Sequence, residues 1–92
     1  MAQTIGAAIR EWLKANGLEQ KVQEHSVPGY WEEVVGPAFA RHARVERVDN
    51  GRLFVSVESA AWRTEVMLRR EEIVARLNER LGAEIVKEII VR

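Results

Sequence analysis

The first part of the chain carries apolar residues at the spacing of a helix. One stripe runs from Ile5 to Leu13 and predicts a first helix. Asn16-Gly17 ends it, because glycine accepts the left-handed backbone of a C-terminal cap. A second helix is expected from Glu19 to about His25. We expect Ser26-Val27-Pro28-Gly29 to interrupt it, since an internal proline removes a helix hydrogen bond.

A further apolar stripe and a short turn of helix follow. The stripe comprises Tyr30, Trp31, Val34 and Val35, and the short turn spans Pro37 to about Arg41.

The three tryptophans each fall on the apolar stripe of a helix, so we expect core positions for Trp12, Trp31 and Trp62. Trp62 lies at the first turn of its helix, where a half-exposed ring is able to anchor a partner.

The period then changes from 3.6 to 2, which is typical of strands. Two strands are predicted, Arg44 to Val48 and Arg52 to Val57, joined at Asp49-Asn50-Gly51. Asn-Gly is a strong hairpin signal because both residues accept positive φ. A two-residue loop would place Val48 opposite Leu53, and a three-residue loop would place Val45 opposite Val55. The pattern leaves both registers open.

A long helix and a last strand complete the predicted fold. Ser59 is a good N-cap for a helix from about Ala60 to Leu81, and Gly82 suits its C-terminal cap. A strand is expected from Ile85 to Val91. The order predicts an α+β domain, numbered 1–92, with a small mixed or antiparallel three-stranded sheet and helices packed on one face. Phe54 and either Ile90 or Val91 would then lie uncovered on the other face, unless the first helix covers them.

Composition narrows the class of protein. Apolar residues make up 47% of 92 positions, enough for one core, and the chain has no cysteine, which excludes disulfides and thiol chemistry. The N-terminus lacks the basic cluster and apolar run of a signal peptide, and no stretch is apolar enough to span a membrane. We therefore expect a cytoplasmic protein that does not enter the membrane.

Charge is balanced overall but uneven along the chain. The chain has 14 basic and 14 acidic residues, with net charges of −2 in residues 1–40 and +3 in residues 41–70. Arginine suits phosphate because its planar group donates several hydrogen bonds. If the hairpin and long-helix arginines meet, they form a phosphate-binding patch, and the predicted contacts are Arg41, Arg44, Arg47, Arg52, Arg69 and Arg70. The alternative is an exposed ladder of ion pairs on the long helix.

The candidate catalytic residues do not form a recognisable site. His25 and His42 lie far apart in the sequence, and the glycines stand singly rather than in a phosphate loop. The adjacent carboxylates Glu32-Glu33 and Glu71-Glu72 point about 100° apart on a helix, so neither pair is able to share a substrate. We predict a protein that is not an enzyme and needs neither a metal nor a cofactor.

Several short motifs, in order, resemble the DciA-type family of bacterial replication proteins. They are Trp31-Glu32-Glu33-Val34-Val35-Gly36, His42, Asn50-Gly51-Arg52-Leu53-Phe54-Val55, Ser59-Ala60-Ala61-Trp62, Glu65-Val66 and Leu77-Asn78. The resemblance implies a KH-like fold, DNA binding and assistance in loading the replicative helicase. The Gly-x-x-Gly loop with which KH domains clamp nucleotides is absent from the chain.

Two functions remain as hypotheses. The first is a DNA-binding accessory protein that uses the arginines, with single- or double-stranded DNA and the replicative helicase as partners. The second is a protein–protein adaptor that docks a partner, or a second copy as a homodimer, through Phe54, Ile90 and Trp62. Phosphate binding weakens steeply with salt, whereas an apolar contact does not.

Overall fold

The computed structural model describes residues 4–92. Residues 1–3, which belong to the predicted domain and to the N-terminus that lacks a signal-peptide pattern, lie outside the described residues. The elements of the described part are α1 (Ile5–Ala15), α2 (Glu19–Val35), α3 (Pro37–His42), β1 (Ala43–Asp49), β2 (Arg52–Val57), α4 (Ala60–Leu81) and β3 (Glu88–Val91). The predicted α+β class and the order of elements are confirmed.

The strands form a mixed sheet with β2 in the centre. The order is β1-β2-β3, with β1 antiparallel to β2 and β3 parallel to β2. α4 connects the two parallel strands, as a crossover between parallel neighbours requires. The inner face of the sheet carries Leu53, Val55 and Val57, all buried, and packs on buried residues of α2, α3 and α4. The helices therefore cover one face, as predicted.

The hairpin contains both of the registers that the pattern left open. Val48 pairs with Leu53 and Val45 pairs with Val55, because a bulge at Glu46 adds one residue to β1 between them. Asn50 and Gly51 form the two-residue loop with φ of 51° and 82°. Positive φ at both positions is the geometry of a type I′ turn, whose twist matches that of the strands.

The predicted interruption of α2 at Pro28 is wrong. The helix continues from Glu19 to Val35 with Pro28 inside it. An internal proline costs about 3 kcal/mol. The neighbouring side chains offset this cost, because Val27 and Trp31 are buried and the Trp31 indole Nε1 donates a hydrogen bond of 2.8 Å to the carbonyl oxygen of Ala43. Tertiary packing therefore overrides the local helix-breaking signal.

The last strand is shorter than predicted and begins at Glu88 rather than Ile85. The side chain of Asn78 on α4 takes the backbone groups that a strand would use. Its Oδ1 accepts from the N–H groups of Ile85 and Val86, and its Nδ2 donates to the carbonyl oxygen of Val86. Ile85 and Val86 are buried as a loop that packs on the core.

The expectation that Trp12 lies in the core is wrong. α1 has no buried residue among those described, and Trp12 is 59% exposed on the same stripe as Ile5 and Ile9. The other helices already cover the inner face of the sheet, and α1 does not cover the opposite face. Trp31 is buried as predicted, and Trp62 is half-buried at the edge of the core.

A buried carboxylate ties the hairpin to α2. Glu24 is 7% exposed, and its Oε2 accepts a hydrogen bond of 2.7 Å from the backbone N–H of Gly51 and one of 3.2 Å from Nε2 of Gln20. Gly51 also accepts, through its carbonyl oxygen, from the N–H of Lys87 at 2.7 Å. The turn residue thus links α2 to the segment that leads into β3.

Glu24→Ala should lower the free energy of unfolding by about 1–3 kcal/mol, because it leaves the buried N–H of Gly51 without an acceptor. Urea unfolding followed by circular dichroism measures this change. Glu24→Gln keeps an acceptor oxygen and should lose less. The exposed Glu32 on the same helix supplies the control, and Glu32→Ala should change stability by less than about 0.5 kcal/mol. Equal losses at Glu24 and Glu32 would contradict the anchoring role.

Candidate nucleic-acid interface

The face of the sheet opposite the helices is rich in arginine. Cross-strand pairing and the alternation of side chains place the residues of this surface, which we call the outer face. β2 contributes Arg52, Phe54 and Ser56, which stand opposite Asp49, Arg47 and Arg44 of β1. On the other side, Arg52 and Phe54 stand opposite Glu88 and Ile90 of β3. Arg92 follows in the same alternation beside Ser56.

Phe54 is buried on the outer face, so the prediction that it lies uncovered is wrong. It is only 6% exposed, although it lies outside the core that α2, α3 and α4 cover in the described part of the chain. Three guanidinium groups lie over its ring, with their Cζ atoms 4.2 Å (Arg47), 4.8 Å (Arg92) and 5.9 Å (Arg52) from the centroid. Arginine stacks readily on aromatic rings and keeps its N–H groups at the edge free to donate. Ile90 beside it is half-buried.

The arginines of the outer face are free of ion pairs within the described part of the chain. Arg44, Arg47, Arg52 and Arg92 are all exposed, and none has a carboxylate oxygen within 4.0 Å. Asp49 and Glu88 flank Arg52 in the sheet register, so the positive charge is concentrated toward the Arg44 end. This surface therefore presents donors that still lack an anionic partner.

Arg41 extends the cationic surface at one end. It lies at the end of α3 and lines a depression together with Arg44, His42 and the hydroxyl residues Ser56 and Ser59. Glu58 also lines the depression and partly offsets its charge. Four of the six predicted contacts, Arg41, Arg44, Arg47 and Arg52, thus lie on or beside the outer face.

The long-helix arginines do not join this surface, so the predicted convergence is wrong. Arg69 pairs with Glu65 at 3.2 Å and lines a groove with Phe39 and Trp62 on the helical side. Arg70 lines a separate groove with Lys87 and Ile89 at the edge of β3. α4 packs on the inner face, and the sheet therefore separates these side chains from Phe54.

The predicted alternative of an ion-pair ladder on α4 is confirmed in part. Glu65 pairs with Arg69, and Glu72 pairs with Arg76 at 3.0 Å, both at i,i+4 spacing. Arg80 pairs instead with Glu33 of α2 at 2.9 Å. Exposed pairs of this kind contribute little to the stability of the fold, but they partly neutralise the positive charge of these arginines.

Trp62 forms part of an aromatic cluster at the start of α4. Its ring stacks on His42 at 4.8 Å with an interplanar angle of 12°, and it meets Phe39 edge-on at 5.3 Å. Phe39 in turn meets Trp31 at 6.3 Å. The half-buried Trp62 borders a shallow groove with Val35, Pro37 and Phe39. This groove is the second surface with the character of a binding site.

Residues 4–92 contain no cluster of three or more His, Asp or Glu side chains placed to hold a metal ion. None of the helices in that same range combines the length and the apolar character that crossing a membrane requires.

Comparison with known proteins identifies the family. The family model "Dna[CI] antecedent, DciA" matches residues 4–91. The chain belongs to the DciA family. Its similar curated relatives include UPF0232 proteins of Mycobacterium tuberculosis (34% identical, covering 95% of this chain and 46% of the relative) and Streptomyces avermitilis (39% identical, covering 85% and 44%). A UPF0232 protein of Rhodococcus jostii is 36% identical, covering 95% and 46%. The chain thus spans just under half the length of these relatives.

The DciA match covers most of the cationic surface. Arg41, Arg44, Arg47 and Arg52 lie inside the matched range, which ends one residue before Arg92. Arg92 is the contributor that the sequence analysis missed. The sequence pattern left open whether Ile90 or Val91 lies on the outer side. With Ile90 there, the alternation of the strand also places Arg92, two residues later, on that side.

A double-mutant cycle tests whether arginine stabilises Phe54. Arg47→Ala and Phe54→Leu should couple by about 0.5–2 kcal/mol in urea unfolding, because the guanidinium lies over the ring. The control cycle combines Phe54→Leu with Arg76→Ala, a residue on the other side of the sheet. Those two effects should add to within about 0.5 kcal/mol. A coupling near zero for Arg47 would mean that the contact contributes no stability.

Proposed function

We propose that this domain is a non-enzymatic DNA-binding accessory domain of bacterial replication, which acts in the cytoplasm and assists loading of the replicative helicase. The observation that carries the DNA-binding part is the set of unpaired arginines around Phe54 on the outer face. Membership of the DciA family supports the replication role. A KH-like assignment of the fold is part of the same proposal.

The proposed contact is with the phosphate backbone. The chain carries no net charge, so affinity for DNA depends on local concentration of positive charge rather than on the whole protein. Arg44, Arg47, Arg52 and Arg92 supply that concentration, most strongly toward the Arg44 end, and each presents a planar set of donors suited to phosphate oxygens. Arg41 extends the track, whereas Arg69 and Arg70 contribute less because they lie away from it.

The outer face is poorly suited to stacking bases. A stacking platform needs an accessible aromatic face, and the ring of Phe54 is already occupied by guanidinium groups. Contacts to phosphates alone position a protein without reading base sequence. We therefore expect binding with little base preference, and a comparison of single- and double-stranded oligonucleotides identifies the preferred form.

The test compares two triple variants that remove the same charge. One replaces Arg44, Arg47 and Arg52 with glutamine, which retains part of the aliphatic cover over Phe54. The matched control replaces Arg69, Arg76 and Arg80, which are paired with carboxylates on the helical side. Fluorescence anisotropy with labelled DNA at several salt concentrations measures affinity and its salt dependence.

We expect the outer-face triple variant to bind at least about tenfold more weakly at low salt. When the labelled DNA is single-stranded, the slope of log affinity against log salt should become shallower by about 2, because three phosphate contacts are lost. The helical-side triple should change much less. Equal losses in the two variants, or no saturable binding by the wild type even at low salt, would reject the proposal.

The groove beside Trp62 favours a protein partner as a second candidate function. Its apolar floor and half-buried tryptophan are typical of a contact that is insensitive to salt. Phe54 is buried, so it no longer belongs to the proposed protein contact. Ile90 beside it is half-buried. A pull-down with purified replicative helicase tests this groove, and Trp62→Ala should reduce the amount of helicase captured. The same variant should leave the salt dependence of DNA binding unchanged, which distinguishes the groove from the outer face.

A further inference from the structure

β3 is an edge strand whose outward backbone groups can be assigned. The N–H of Arg92 bonds to the carbonyl oxygen of Val55, and the carbonyl oxygen of Arg92 accepts from the N–H of Val57. Glu88 likewise donates toward β2, to Gly51. Because backbone groups alternate along a strand, Ile89 and Val91 direct theirs away from the sheet. Within residues 4–92 no other strand pairs with these groups, and we call them the free edge of β3.

A second copy of the same strand matches this edge in one antiparallel register. Centred on Ile90, that register places the outward groups of Ile89 opposite those of Val91 from the other copy, as a hydrogen-bonded antiparallel pair requires. The same register sets Glu88 against Arg92 in both directions. A register centred on Ile89 or on Val91 loses this charge match. Charge complementarity therefore selects the arrangement with Ile90 against Ile90 at the two-fold axis.

The other edge of the sheet is protected against the same pairing. β1 carries a bulge at Glu46, which bends the strand and disrupts a continuous ladder. Pairing of two β1 strands over their full length would also set Glu46 against Glu46. Charged residues on β1 thus repel a second copy, whereas Glu88 and Arg92 of β3 attract one.

Apolar side chains on α4 lie on the side of the β3 edge. Val74 lines the groove beside Ile89, and Met67 precedes it by two turns on the same side of the helix. Met67 is 45% exposed. A two-fold axis perpendicular to the sheet would keep both helical layers on the same side and bring these residues from the two copies toward each other.

We propose that two copies of this chain associate through β3, antiparallel and centred on Ile90, to form a continuous six-stranded sheet. The outer faces of the two copies then join into one surface, and the α4 helices flank the contact on the other side. The proposal goes beyond DNA binding and does not rest on it, since the pairing uses the outward backbone groups of Ile89 and Val91 and the side chains of Glu88 and Arg92, and not Arg44, Arg47 or Arg52.

Charge reversal with complementation tests the pairing. Sedimentation equilibrium from micromolar to millimolar concentration measures the dimer dissociation constant. E88R and R92E should each raise it at least about tenfold, because like charges then face each other twice in the dimer. An equimolar mixture of E88R and R92E should recover association to within about threefold of the wild type, which also shows that both variants are folded. Glu32→Arg on α2 is the control and should change nothing.

A cysteine at the two-fold axis tests the register. The chain has no cysteine, so Ile90→Cys introduces a single thiol. Residues of a non-hydrogen-bonded antiparallel pair have Cα atoms about 4.5 Å apart, which is within the range that a disulfide spans. Mild oxidation should therefore link two copies rapidly. Ser56→Cys lies on the same face but on the central strand and should link far more slowly.

Three results would overturn the proposal. The wild type could remain monomeric up to millimolar concentration. A dimer could form but persist unchanged in both E88R and R92E. If Trp12→Ala then abolished that dimer, the contact would be assigned to the exposed stripe of α1 instead. Ile90→Cys could cross-link no faster than Ser56→Cys. None of these measurements uses DNA, so failure here and failure of the DNA-binding proposal are separate results.

Discussion

Helices cover one face of the sheet only, and this one-sided packing determines the role of every strand residue. On the inner face, Leu53, Val55 and Val57 are buried against α2, α3 and α4. On the outer face, none of the helices described in residues 4–92 covers Phe54, and arginine side chains cover it instead. Arginine is suited to this position because its stem and planar group cover apolar surface while its charge remains in water. The same side chains that shield the ring make the surface cationic.

Polar contacts from the helices hold the sheet in place. Glu24 binds the turn of the hairpin through Gly51, and Asn78 binds the segment before β3 through Ile85 and Val86. Trp31 adds a bond to the carbonyl oxygen at the start of β1. Each contact satisfies backbone groups that the three-stranded ladder leaves unpaired, and buried groups of this kind are costly when they lack a partner. The outer face therefore rests on strands whose ends are anchored.

The two faces separate the functions that this DciA-family domain could serve. Arg44, Arg47, Arg52 and Arg92 on the sheet side lack ion pairs, whereas Arg69, Arg76 and Arg80 on the helical side are paired with Glu65, Glu72 and Glu33. This division explains how a chain with equal numbers of basic and acidic residues still has a local cationic surface. The aromatic groove at Trp62 lies on the helical side, away from Phe54, whereas the edge of β3 borders the cationic surface through Arg92.

The sequence by itself determined the class of fold, the hairpin, the long helix and its caps, because local periodicity and turn chemistry act over a few residues. It also suggested Arg41, Arg44, Arg47 and Arg52 as phosphate contacts, and that role stays a prediction. Only the tertiary structure decided that Pro28 lies inside a helix, that Trp12 is exposed, and that Phe54 is covered by arginine rather than by α1. These outcomes depend on residues far apart in the chain. Whether Arg69 and Arg92 join one surface depends on which side of the sheet each element packs, and no local pattern encodes that.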